Sequence, residues 1–350
     1  MRIVKALGLI ALLAVFIAFP FVFSDPAVTI IAVFTIFYAA AATGWNIFSG
    51  YSGYIALGHA AYFGIGSYAI ALMAQDWNVP AGYAPFFLVP LGGLVAAIFA
   101  VPFGWIALRT RRHTFIVITI ATFFIMQLMA YNLRNITNGS AGLSLPIPFD
   151  WGGDFYNLPF YFAGLAILLL ALATSWWVRN SKYGLGLLAI RDDEDRALGL
   201  GVNTAPFKLI AFVISAFFVG MVGAVHAYFI GSVSPPFAFD ALFDVAVALM
   251  AFLGGLGTLA GPLLGALILV PTQQYFTSQP WASNGYYLIV YGVLFLAIIL
   301  LLPEGILPTI RKRWFAWVAA RDKTQIAPAV AAVAGQEETE SAVKKDEVNL

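Results

Sequence analysis

The chain has 350 residues, of which 61% are hydrophobic and 10% are charged, and its formal net charge is +1. Soluble domains carry roughly 25% charged residues, so this composition excludes a water-soluble fold and indicates an α-helical membrane protein. The small net charge and the lack of a basic stripe argue against a nucleic-acid partner. Cysteine is absent and the three histidines lie far apart, so neither disulfides nor a metal site is predicted.

Apolar stretches of spanning length recur along the chain and predict an all-α polytopic bundle of eight to ten transmembrane helices, with ten the preferred count. They lie near residues 6–23, 28–48, 54–74, 84–107, 114–132, 158–178, 207–230, 241–254, 258–276 and 285–302. The first is interpreted as a retained helix, because no signal-peptide cleavage pattern follows its apolar core. The glycine-rich GGLGT turn separates the two short stretches within 241–276, which form either two spans or a broken re-entrant pair.

Lysine and arginine predict the orientation of these spans. With ten spans and a cytoplasmic N-terminus, seventeen of the eighteen basic residues lie on the cytoplasmic side, and only Arg134 lies outside. The C-terminus is then cytoplasmic as well. Residues 1–310 are predicted to form the transmembrane domain, and the tail at 321–350, which has no aromatic residue, is predicted to be disordered.

Small residues recur at every fourth position, a spacing that lets neighbouring helix backbones approach closely. The sets are Ser52, Ala56, Ala60 and Gly64; Ala216, Gly220 and Ala224; and Gly257, Gly261 and Gly265. Such faces either pack the bundle or surround a solute path, and single polar residues such as His59 have the same two interpretations. The residues assigned to path or packing are Thr43, Asn46, Gly58, His59, Gly64, Gly254, Gly255 and Gly257.

The predicted spans contain few ionisable residues, namely His59, His226 and Asp244. Ion-coupled carriers usually keep a buried carboxylate or a proton relay, so the energy for any transport is expected to come from outside this chain. No H-E-x-x-H, G-x-S-x-G or paired intramembrane aspartate is present, and we predict no enzymatic activity and no catalytic residue. No lysine follows a glycine, which excludes an ATP site of the Walker A type.

A charged loop from Arg179 to Lys208 is the main exception to this apolar character, with nine of the thirty-five charged residues. Residues 187–200 are predicted to form one short helix, with flanking turns at the glycines 184, 186, 199 and 201. The acidic run at 192–195 offers charge complementarity to a soluble partner. Apolar contact to that partner is expected from Leu187, Leu188, Ile190, Ala197 and Leu198. A solvated surface helix or a lipid-surface helix are the alternatives, although a lipid anchor would be strongly basic.

Four blocks of the sequence resemble the M-type permease subunits of bacterial high-affinity branched-chain amino acid ABC importers. They are GWNIFSGYSGYIALGHAAYFGIGSYAIALM at 44–73, ITNGSAGLSLP at 136–146, the stretch from SKYGLGLLAIRDDEDRALGLG to YFIGSVSP at 181–235, and ALMAFLGGLGTLAGPLLGA at 248–266. The blocks follow the order they have in that family. The resemblance implies a multi-pass protein of the inner membrane that moves branched-chain or related amino acids.

The resemblance also implies the partners. They are a sister permease subunit, two cytoplasmic ATPase subunits that carry ATP and magnesium, and a periplasmic substrate-binding protein, with no cofactor in this chain. In the family, the charged loop docks the ATPase, which assigns coupling to Ala189, Ile190, Arg191, Asp192, Asp193, Glu194, Ala197, Leu198, Gly199 and Gly201. The Glu-Ala-Ala triplet of other ABC importers is absent. The alternatives are the same machine moving urea, short amides or another small polar solute, and a stand-alone secondary transporter or channel.

Overall fold

A computed structural model describes residues 13–23, 25–148, 151, 156–277 and 304–314, together with scattered positions between 289 and 301. The predicted span at 285–302 lies largely outside the described residues, and the tail at 321–350 lies wholly outside them. The predicted first span, 6–23, is described from residue 13. A separate unit begins at Ile306, and its described part, 306–314, is helical.

The described part of the chain is all-α apart from one pair of two-residue strands. The helices are α1 (Leu13–Val22), α2 (Pro26–Ser52), α3 (His59–Asp76), α4 (Val89–Ala107), α5 (Arg112–Asn132), α6 (Arg134–Thr137), α7 (Asn157–Asn180), α8 (Lys182–Asp192), α9 (Glu194–Gly199), α10 (Thr204–Ile230), α11 (Pro235–Ala238), α12 (Ala241–Gly254) and α13 (Gly261–Thr277). Strands β1 (Leu143–Ser144) and β2 (Ser232–Val233) pair antiparallel. Among the described residues, six helical segments are long and apolar enough to cross a membrane. The predicted all-α, polytopic class is confirmed.

Helix α10 lies at the centre of the bundle and packs against α2, α3 and α4. His59 of α3 hydrogen-bonds with Ser215 of α10, and Ser67, eight residues further along α3, hydrogen-bonds with Gly223, eight residues further along α10. The two helices therefore run parallel. Their backbones touch, because a side chain at Gly223 would collide with the carbonyl oxygen of Phe63. Gly220, a member of the predicted small-residue set of α10, lies equally close to Ala96 and Gly93 of α4, so it packs the bundle.

The predicted third span, 54–74, is wrong at its start. Helix α2 ends at Ser52, with Gly53 in the left-handed conformation (φ 73°), and α3 begins only at His59. Residues 53–58 are not helical. Ser52 and Ala56 therefore share no helix face with the two later members of their small-residue set.

Helices α12 and α13 form an antiparallel hairpin around the loop at 255–260. Gly254 lies against Gly261, and Met250 lies against Gly265. The two helices therefore approach each other closely at glycines on both sides of the loop. Gly257 belongs to the loop, where its φ of 75° favours glycine, and not to the face of α13 that carries the other two members of its set.

We expect Gly223→Ala to destabilise the protein by about 1–3 kcal/mol, because its methyl group would meet a backbone oxygen that cannot rotate away. The measurement is the thermal unfolding midpoint of the purified protein in detergent. Gly199→Ala is the control, since a methyl group there meets nothing within 4 Å. Equal midpoints for Gly223→Ala and the wild type would contradict the direct contact of α3 and α10.

Candidate functional site

The charged loop is largely helical. Arg179 belongs to α7 and Lys208 to α10, which leaves a charged segment, residues 181–203, built on α8 and α9. The single helix predicted at 187–200 is wrong because Asp193 interrupts it. Asp193 is extended (φ −157°, ψ 111°), and its carboxylate accepts a hydrogen bond from the Arg196 backbone N–H at 3.0 Å as the N-cap of α9.

One face of the charged segment belongs to the core of the chain itself. Leu187, Ile190 and Ala197 are at most 1% exposed, so they do not offer the apolar contact to a partner that was predicted for them. They pack in a cluster with aromatic side chains of α2, α5 and α10. Gly184 and Gly186 lie inside α8, close to the Val178 carbonyl and the Phe207 ring, and not in a flanking turn.

Arginine side chains join this segment to the start of α5 and the end of α2. Arg112 donates to the carbonyl oxygens of Ile190 (3.0 Å) and Arg191 (2.8 Å) near the end of α8. Arg191 donates in turn to the Gly50 carbonyl in the last turn of α2 at 2.8 Å. Cations stabilise helix C-termini, where the last carbonyls lack partners within the helix.

The loop between α12 and α13 is held in the same way. Arg179 donates to the Gly257 carbonyl oxygen at 2.7 Å. Asn46 of α2 donates to the Thr258 carbonyl at 2.9 Å and accepts from the Gly257 N–H at 2.8 Å. Asn46 and Gly257, both assigned from sequence to path or packing, are therefore in direct contact.

A partly buried ion pair connects α9 to α10. The ammonium of Lys208 donates to a Glu194 carboxylate oxygen at 2.5 Å, and the Tyr54 hydroxyl donates to the other oxygen. The Lys208 side chain is 4% exposed and that of Glu194 is 22% exposed. Burial alone would raise the pKa of Glu194, but the hydrogen bonds from Lys208 and Tyr54 outweigh it and hold that pKa below its usual range.

The opposite face of the segment is open to solvent. Its exposed residues include the apolar side chains Leu198 (51%) and Leu200 (84%), with Asp195, Arg196 and Gly199 beside them. Next to this face lies a hollow of about 320 Å³ with basic side chains on one flank and acidic ones on the other. Its lining comprises Tyr54, Arg111, Arg112, His113, Asp192, Asp193, Glu194 and Asp195.

Residues 27–299 match the family described as branched-chain amino acid transport system, permease component. The chain belongs to this family. It is therefore a multi-pass protein of the inner membrane. No solved structure matches the permease.

Three relatives illustrate the similarity. The high-affinity branched-chain amino acid transport system permease protein LivM of Escherichia coli K12 is 29% identical, covering 88% of this permease and 76% of LivM. The corresponding protein LivH of Salmonella typhimurium is 27% identical over 77% of this chain and 91% of its own. A weaker match is the xylose transport system permease protein XylH of Haemophilus influenzae, with 28% identity over 41% of this chain and 39% of its own.

The remaining residues assigned to path or packing are spread through the interior of the permease. Thr43 donates within its own helix, and Gly58 and Gly64 lie against the Thr119 backbone and the Phe239 ring. His59 is fully buried with its Nε2 2.7 Å from the Ser215 hydroxyl. Gly254 ends α12 and Gly255 begins the loop that carries Gly257.

Asp244 has a structural task that sequence reasoning missed. Its carboxylate, on α12, accepts the backbone N–H of Ala60 at 3.0 Å in the first turn of α3. The first N–H groups of a helix lack partners within the helix, and α3 has no capping side chain of its own, so Asp244 takes that place. A lone carboxylate in an apolar helix was the available signal, but its partner lies 184 residues away in sequence.

We expect Glu194→Leu to destabilise the permease by about 3 kcal/mol, because it leaves the buried Lys208 ammonium without its carboxylate. Adding Lys208→Met should restore most of this loss, since an apolar pair of similar volume removes the unpaired charge. Thermal unfolding midpoints of the wild type, the single variant and the double variant provide the measurement. A single variant as stable as the wild type would show that the pair contributes nothing.

The same pair predicts a pH dependence. Because the pKa of Glu194 is lowered, its contribution to stability is complete at neutral pH and is lost as the pH falls through that lowered pKa, below the usual 4.5. The double variant should lack this component of the acid destabilisation. An identical pH profile for both proteins between pH 3 and 6 would contradict the assignment.

Proposed function

We propose that this permease moves branched-chain amino acids inward as one membrane subunit of an ABC importer, together with a sister permease subunit. Two ATPase subunits bind ATP and magnesium and supply the energy, and a periplasmic binding protein delivers the solute. Family membership over residues 27–299 is the observation that carries this proposal. The names of the related LivM and LivH proteins support the solute class. No catalytic residue is assigned to this chain.

We further propose ten spans with both termini in the cytoplasm. The basic loop at 109–112, the charged segment and the 255–260 loop meet at one end of the bundle through Arg112 and Arg179, and this end is assigned to the cytoplasm. Arg134 and the β1–β2 pair lie near one another at the other end, where Gln75 donates to the Ser144 carbonyl at 2.8 Å. The α12–α13 hairpin is taken as two spans, because its loop lies at the same end of the bundle as the charged segment, where Arg179 donates to the Gly257 carbonyl.

The exposed face of the charged segment is the proposed docking surface for the ATPase. Leu198 and Leu200 give it apolar area, and the neighbouring charges supply register. Of the coupling residues assigned from sequence, Asp192, Leu198, Gly199 and Gly201 are exposed and able to contact the partner. Ile190, Arg191, Glu194 and Ala197 instead hold the segment to the bundle.

Movement of the docked ATPase would then reach the bundle through three fixed connections. Glu194 links α9 to α10 through Lys208, Arg191 links α8 to α2, and Arg179 links the end of α7 to the 255–260 loop. Because these contacts are short and the segment is packed into the core, displacement of the segment displaces the helix ends. Access to the solute path would alternate as these helices move as rigid bodies.

The turn at the opposite end is the proposed contact for the binding protein. Asn138, Gly139 and Gly142 have positive φ angles, and β1 fixes the turn against β2. Asp76 and Arg134 line a hollow of about 480 Å³ beside it. A rigid, mixed-charge surface of this kind suits a soluble partner that must dock and release.

We expect Leu198→Ser with Leu200→Ser to reduce ATP-driven uptake at least tenfold, because two apolar anchors leave the docking surface while the core is unchanged. Co-purification of the ATPase subunits should fall in parallel. Leu170→Ser, an exposed leucine (55%) in the middle of α7 and away from both proposed docking surfaces, is the control, and both uptake and co-purification should match the wild type. Full uptake by the double variant would refute docking at this face.

Substrate class is tested by uptake of labelled leucine, urea and acetamide in a deletion strain complemented with this permease and its partner subunits. The proposal expects ATP-dependent uptake of leucine, with urea and acetamide at background. Uptake of an amide in place of leucine would favour the alternative solute. Uptake that follows an ion gradient without the ATPases would indicate a secondary transporter.

A further inference from the structure

A cleft of about 180 Å³ opens between α2, α3, α10, α12 and α13. It lies near the end of the bundle opposite the charged segment, because His226 on its wall is roughly 27 Å along α10 from Lys208. Its deep walls are aromatic, and Phe37, Phe63 and Phe243 are at most 5% exposed. The aromatic lining comprises Phe34, Phe37, Tyr38, Phe63, Phe237 and Phe243.

Polar groups converge on this apolar cleft. Asp240 carries the only carboxylate among the described residues that line it, while Gln273 and Gln274 line it from α13. One carboxylate oxygen of Asp240 accepts the Leu242 N–H at 2.9 Å as the N-cap of α12. An ionised carboxylate accepts several hydrogen bonds, so this cap leaves capacity for a cationic ligand group.

His226 supplies the second polar contact. Its ring lies among aromatic rings, with centroids 5.2 Å from both Phe63 and Phe237. Its Nδ1 is buried and has no hydrogen-bond partner among the described residues. Buried polar atoms are rarely left unpaired in proteins, so an unpaired nitrogen on a residue that lines a cleft is a candidate ligand contact.

We propose that this cleft binds the zwitterion of an aliphatic amino acid on the external side of the solute path. The α-ammonium group lies at Asp240 and against the aromatic faces, the side chain contacts Phe37 and Phe63, and the α-carboxylate is within reach of His226. The inference deepens the function proposed above and rests on it. A small apolar pocket with a few convergent polar groups is the usual form of a small-molecule site, and aromatic faces attract ammonium groups.

The test uses the assembled transporter in lipid nanodiscs, without the binding protein, and a diazirine analogue of leucine as the photoreactive probe. Mass spectrometry maps the labelled peptides. We expect labelling within α2, α10 or α13 at the cleft that unlabelled leucine suppresses. 4-Methylpentanoate, which lacks the ammonium group, should need at least tenfold higher concentration to suppress it.

Asp240→Asn is the decisive variant, because asparagine keeps the N-cap of α12 but removes the charge. It should raise the leucine concentration needed for suppression at least tenfold. Asp25→Asn is the matched control, since Asp25 caps α2 through the same contact, at 2.9 Å from the Ala27 N–H, and does not line the cleft. It should behave as the wild type.

Two results would overturn the inference: suppressible labelling that maps outside the cleft, or equal suppression in Asp240→Asn and the wild type. The second would mean that the charge of Asp240 does not bind the ammonium group. ATP-driven leucine uptake by the wild-type transporter with its binding protein is measured separately. If leucine is taken up but the cleft is not labelled, only the assignment of the cleft as a binding site is refuted. If leucine is not taken up, the proposed function itself is refuted.

Discussion

Backbone N–H and C=O groups that are buried away from water must find a partner inside the protein, and this constraint bears on two non-helical stretches of the bundle. At 53–58, Trp45 donates to the Ala56 carbonyl and Thr119 accepts the Leu57 N–H. At 255–260, the carbonyl oxygens of Thr258 and Gly257 accept hydrogen bonds from Asn46 and Arg179. The polar and basic residues of this apolar chain are therefore concentrated where regular helices end. The same residues connect those ends to the charged segment.

The positions of most helices followed from hydropathy, because α4, α5, α7 and α10 are long apolar runs with charged or glycine-rich ends. The late start of α3 at His59 did not, because Ile55, Ala56 and Leu57 continue the apolar character of the flanking helices. Only contacts far apart in sequence distinguish this extended stretch from a helix. The hairpin at 241–276 was left open for the same reason, since its antiparallel packing depends on glycines that meet across the loop.

The site was predictable as a region and less so in its parts. Charge density located the segment, but periodicity could not separate Leu187 and Ile190, which are buried in the core, from Leu198, which is exposed. Lys208 was counted with the loop, yet it lies in the first turn of α10, and its burial depends on Glu194 and Tyr54. The identity of a charged residue shows that it needs a partner but does not show which partner the fold provides.

The glycine contacts between α3 and α10 have a mechanical consequence. Where the carbonyl of Phe63 lies directly on Gly223, no flexible side chain separates the two backbones that could absorb a shift by changing rotamer. The parallel helices α3 and α10 therefore form a stiff pair. Helices can shift more easily where side chains separate their backbones. Aromatic rings of α2, α3, α10 and α12 meet around His226, between this pair and the helices that face it. Repacking of those rings is the low-cost way for the two groups of helices to separate.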